Sequence, residues 1–133
     1  MKGMRKVAIV AACRTPIGAF GGSLKSVIGA QLAATVIREI LNRTKIDPSI
    51  IGDVRFGCCM DHYDAINVAR VAGLLAGVPD TVPGVTMNRV CVSAMEAIQS
   101  GYLNIATGFA DVIVAGGVES MSNAPYMVPN ARW

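Results

Sequence analysis

Cys91 stands at the junction between a β-branched apolar run, residues 81–90, and a stretch of small, helix-forming residues that begins at Val92. A thiol at a strand-to-helix turn lies beside unpaired backbone N–H groups and the positive end of the helix macrodipole, both of which stabilise an anion. The thiolate is the nucleophilic form of cysteine, so this placement suits covalent catalysis. A second reading stays open at this point, because free cysteine is also a small, commonly buried hydrophobe. The remaining cysteines are Cys13, Cys58 and Cys59. Cys58 and Cys59 are adjacent, a spacing that closes no ordinary disulfide and does not match paired zinc ligands. A reduced, cytoplasmic protein without a bound metal is the expectation. His62, the single histidine, is expected to be an exposed loop residue rather than a general base.

The elements that must position Cys91 alternate between strand and helix. Residues 6–13 read as a buried first strand, followed by a Gly-rich loop at 18–22. A helix is expected over 29–43, with Leu32, Val36, Ile37, Ile40 and Leu41 on one stripe and Arg38, Glu39 and Asn42 opposite. Strands follow at 53–59, within 83–90 and at 111–115; helices follow at 65–76 and within 92–106. The last helix carries only a narrow polar stripe of Ser93, Glu96, Ser100 and Asn104, so it should be covered on more than one side. The alternation predicts an α/β layered domain around a mainly parallel, mixed sheet with helices on both faces.

Composition narrows the function classes. The chain of 133 residues is 53% hydrophobic and only 16% charged, with 14 glycines. Average domains carry about 25% charged residues, so this one has little polar surface and should bury faces against another subunit or segment. Net charge is +3, with no basic block and no basic–aromatic alternation, which argues against nucleic acid as a partner. Lys2, Arg5 and Lys6 before an apolar run imitate an export signal, but the run is short and stops at Arg14. No apolar stretch approaches the roughly 20 residues of a membrane span. The 18–22 loop lacks the spacing and the Lys-Ser/Thr of a phosphate loop. Gly116-Gly117 fits either a close backbone approach to a ligand or a tight turn after a strand.

Four segments in order resemble the thiolase family: Arg14-Thr15-Pro16-Ile17-Gly18, Asn67-x-Ala69-Arg70, Asn88-Arg89-Val90-Cys91-Val92-Ser93-Ala94-Met95, and Gly116-Gly117-Val118-Glu119-Ser120-Met121-Ser122-Asn123-Ala124-Pro125. The third resembles the family's segment around its acyl-accepting cysteine. Two departures stand out. Val92 replaces the small residue usual after the nucleophile, and 58–66, with Met60, Asp61, His62 and Tyr63, replaces a Gly- and Gln-containing loop.

The resemblance implies an acyl-CoA C-acyltransferase, an acetyl-CoA acetyltransferase or 3-ketoacyl-CoA thiolase, that forms or cleaves 3-oxoacyl-CoA through a Cys91 acyl-enzyme. Acyl-CoA and CoA would be substrates, with no resident cofactor. The backbone N–H of Cys91 would contribute to an oxyanion hole. It further implies that residues 1–120 form the nucleophile-bearing part of an N-terminal thiolase domain and 121–133 begin a loop region. The family's second cysteine, its histidine and a water-holding asparagine come from a second half that these residues do not match. The expected partners are therefore a C-terminal thiolase half or subunit and further copies of the chain. Two alternatives remain: another condensing enzyme of the same superfamily, against which 116–122 argues, and a non-catalytic assembly module derived from a thiolase.

Overall fold

A computed structural model describes residues 4–60 and 62–132; the Lys2 and Asp61 positions named above lie outside the described residues. Six elements build the domain: α1 (Gly29–Thr44), β1 (Asp53–Gly57), α2 (Val68–Leu75), β2 (Gly84–Met87), α3 (Ser93–Ala106) and β3 (Ile113–Gly117). Short 3-10 turns occupy Pro48–Ile50 and Met121–Asn123.

Local chemistry explains where the helices begin and end. α1 buries Gly29, Ala30, Ala33, Ala34 and Ile37, spaced to form one stripe. It stops at Lys45, whose left-handed φ of 55° lets its N–H return to the Leu41 carbonyl at 2.9 Å. α2 is opened by Asn67, whose side-chain oxygen accepts the Arg70 N–H at 3.1 Å. Gly77 beyond it takes a φ of 88°, which a side chain would resist.

The sheet has three parallel strands in the order β2-β1-β3, with Val54 opposite Gly84 on one side and Val114 on the other. Strand side chains alternate between faces, and β1 shows both. Val54 points at Gly73 of α2, whereas the Gly57 position faces Ser93 and Ala94 of α3. α2 packs on β1 and β2 with α1 packed against it, and α3 covers the other face. The expected layered half-fold is thus present, and its core centres on Ile37, Val54, Phe56, Val68 and Ala72.

Residues 6–13 do not form the expected first strand. They join no ladder, and Ile9 and Val10 are 84% and 80% exposed. Their β-branched composition suits a packed, half-buried strand, and it does not bring them to the outer edge of β3, which pairs with β1 alone among the described residues. The segment is instead strapped across the helices: the Arg5 N–H reaches the Ala106 carbonyl at 2.9 Å, the Cys13 thiol the Val36 carbonyl at 3.3 Å, and Arg43 the Ala12 carbonyl at 3.3 Å.

Candidate active site

β1 and β3 end in Gly57 and Gly117, and these two glycines set the height of α3 above the sheet. A Cβ on Gly57 would lie 2.3 Å from the Ala94 nitrogen, and one on Gly117 would lie 2.5 Å from the Ala94 Cβ. The first turn of α3 therefore rests on bare backbone at the C-terminal ends of two strands. A Cβ on Gly116 would come within 3.2 Å of the Phe56 ring. Gly116-Gly117 thus make room for neighbouring protein, Phe56 and Ala94, rather than for a turn of their own.

Residues 88–92 connect β2 to that helix as a compact turn with Cys91 at its apex. The Asn88 side chain accepts the Val90 N–H at 3.0 Å and donates to the Cys59 carbonyl at 3.0 Å. Ser93 works inside the turn: its hydroxyl accepts the Arg89 N–H at 2.8 Å and donates to the Val90 carbonyl at 2.6 Å. The Cys59 thiol donates to the same Val90 carbonyl at 2.8 Å. These bonds hold Val90 at a φ of 50°, a left-handed conformation that is rare for a β-branched residue. Backbone in such regions persists only where its surroundings enforce it, and it concentrates at functional sites. Arg89 meets Glu96 at 3.2 Å across the helix start. Cys91 itself is exposed, two residues ahead of the first helical residue, Ser93.

The other cysteines differ. Cys58 is buried, while Cys13 and Cys59 are partly covered, and none of the four cysteines forms a disulfide among the described residues. Cys59 was not singled out for the site by the sequence, yet it underlies the Cys91 turn. The contact is made between residues 31 apart and leaves no local signal in the chain.

His62 corrects an expectation. It is 2% exposed rather than an exposed loop residue. It packs beside Gly29, where an added Cβ would come within 3.1 Å of its Nε2, and its Nε2 faces Glu119 at 3.9 Å. Glu119 accepts the backbone N–H groups of Cys59 at 2.7 Å and Met60 at 3.3 Å, pinning the 58–60 turn to the end of β3. Nothing in local sequence marks this burial, because Gly29, His62 and Glu119 come from three distant segments.

A cleft of about 450 Å³ opens elsewhere, between residues 13–20, α1 and the end of β3, and Cys91 does not line it. No helix among the described residues is long and apolar enough to cross a membrane.

Comparison with known proteins fits this arrangement. The family profile "Thiolase, N-terminal domain" matches residues 7–133. An acetyl-CoA acetyltransferase of Syntrophomonas wolfei is 46% identical over 97% of this chain and 33% of its own length. A beta-ketoadipyl-CoA thiolase of Pseudomonas knackmussii is 49% identical over 96% of this chain and 32% of its own. The crystal structure of the Bacillus anthracis acetyl-CoA acetyltransferase superposes with a TM-score of 0.96 at 45% identity, covering all of this chain and 34% of that one. The chain thus spans about a third of the length of the relatives it matches. With the profile matched over nearly its full length, the chain belongs to the thiolase family, as the N-terminal domain portion.

Proposed function

We propose that this chain supplies the acyl-accepting part of a thiolase active site, with Cys91 as the nucleophile. In this reading the Cys91 sulfur attacks the carbonyl of an acyl-CoA, the carbonyl oxygen becomes an oxyanion, and CoA leaves as its thiol. The acyl group remains on Cys91 as a thioester, which splits one difficult acyl transfer into two easier ones. The Cys91 backbone N–H is assigned to the oxyanion, where a fixed donor is worth most. A second acyl-CoA then takes the acyl group as a carbon nucleophile. In the cleavage direction Cys91 instead attacks the 3-oxo carbonyl of a 3-oxoacyl-CoA. The C–C bond breaks to expel the shortened acyl-CoA, which is protonated at carbon, and CoA takes the acyl group from Cys91. The base for Cys91 and the group that moves the α-proton are assigned to the remainder of the protein, since the chain spans only a third of its relatives.

The observation that carries the reading is the exposed thiol on a turn held in left-handed backbone above two strand ends. Acetyl-CoA acetyltransferase activity is proposed on the names of the relatives. A reduced, cytoplasmic setting, supported by four cysteines outside any disulfide among the described residues, completes the proposal, together with acyl-CoA and CoA as substrates and no resident cofactor.

Cleavage of acetoacetyl-CoA with CoA by the complete protein tests it. Cys91→Ala should lower that rate by at least roughly 10³-fold, because nucleophile removal abolishes most covalent catalysis. Retention of the rate in Cys91→Ala would overturn the assignment. Full activity of the chain alone would overturn the need for a second half.

A further inference from the structure

We propose that Cys58, His62 and Glu119 form a binding site for a divalent cation of the zinc class, separate from the Cys91 turn. The Cys58 Sγ, a ring nitrogen of His62 and a Glu119 carboxylate oxygen all lie within 4.8 Å of one another. The three residues come from the end of β1, the loop after it and the segment after β3, so the fold, not a sequence motif, assembles them.

His62 supplies the independent reason to look for an ion. Among the described residues its buried Nε2 has no hydrogen-bond partner, and at 3.9 Å it stands too far from Glu119 Oε1 for a direct bond. Buried polar atoms without partners are uncommon, and an ion is one of the few things that satisfies them. Cys58 and His62 are both about 2% exposed, so the donors already sit in a shell that excludes competing water.

The bonding around Glu119 fits a single-oxygen ligand. Oε2 accepts the Cys59 N–H at 2.7 Å and stays anchored to the backbone. Oε1 takes longer contacts, the Met60 N–H at 3.3 Å and the Cys58 thiol at 3.4 Å, and it is the oxygen facing His62. Metal bonds of about 2.0–2.3 Å place tetrahedral donors roughly 3.3–3.8 Å apart, so the observed spacing needs a closure on the order of 1 Å. One thiolate, one imidazole and one carboxylate form a mixed donor set of the kind zinc accepts, with a fourth position for water reached past the side chain of Glu119, which is 27% exposed. Charge also balances. Cys58–SH binds the cation as thiolate and releases its proton to solvent, and thiolate plus carboxylate neutralise a 2+ ion.

The test titrates the complete, reduced and chelator-stripped protein with Co²⁺. One equivalent should produce a thiolate-to-cobalt charge-transfer band with the ligand-field bands of a four-coordinate site, and Zn²⁺ should displace it. Cys58→Ala should abolish the charge-transfer band, while Cys59→Ala and Cys91→Ala keep it. His62→Gln should weaken binding by more than the roughly 10–100-fold that loss of an outer-shell partner costs. A second readout needs no variant: the ¹⁵N resonance of His62 Nε2 should shift on adding one equivalent of Zn²⁺. No band at one equivalent, a band surviving in Cys58→Ala, a band lost in Cys91→Ala, or an unmoved His62 resonance would each overturn the proposal.

Discussion

Cys91 is accessible because its neighbours, not the thiol itself, carry the bonds of the turn. Asn88, Ser93 and Cys59 fix the backbone on either side, and the sulfur is left facing outward. This predicts an order of reactivity. In the complete protein at neutral pH, iodoacetamide followed by peptide mapping should label Cys91 first, with Cys13 and Cys59 slower and the buried Cys58 slowest. Labelling of Cys58 or Cys59 ahead of Cys91 would contradict the account of the turn. Cys91 was legible in the sequence because a strand-like run, a cysteine and a helix-forming run are neighbours in the chain. His62 was not. Its burial depends on Gly29 packing against its ring and on Glu119 beyond β3, and no local spacing encodes either.

The strand ends and α3 act as a single support for that turn. Gly57→Ala should destabilise the complete protein by about 3 kcal/mol, the upper end of overpacking costs, because the new methyl would meet the backbone of Ser93 and Ala94. Gly101→Ala in the same helix should be nearly neutral. There the neighbour at 3.2 Å is a methyl of the Ile113 side chain, which can shift, and Ala gains about 1 kcal/mol of helix propensity over Gly. Denaturant midpoints of the two variants make the comparison; equal losses would mean that α3 does not rest on Gly57 as described. The three helices and the strands at β1, β2 and β3 fell close to the ranges read from periodicity, since each carries its own apolar pattern and its own stops. Residues 6–13 carry an equally strong pattern, yet strand composition reports packing on a covered face, and here Ile9 and Val10 have none.

Apolar surface is left open at the scale of the whole molecule. On α3, Met95, Ile98, Tyr102 and Leu103 are between 44% and 65% exposed, and near the strap Ile17 and Phe20 are about 80% exposed. Contiguous apolar patches of this kind mark interfaces. A second copy of the chain and the remaining half are the expected partners, and these two faces are the apolar surfaces open to them. Met95→Lys with Ile98→Lys should then lower the sedimentation coefficient of the complete protein without changing its circular dichroism. The chain alone should aggregate or bind a hydrophobic dye strongly; a soluble, monomeric, dye-silent chain would contradict this packing. The claim that joins all three scales is that the thiol on this turn carries the acyl group. Mixing the complete protein with isotopically heavy acetyl-CoA, quenching in acid and mapping the adduct by mass spectrometry addresses it directly. The account predicts one heavy acetyl group on Cys91 and none in Cys91→Ala; an adduct on another cysteine, or none from a protein that still turns over acetoacetyl-CoA, would contradict it.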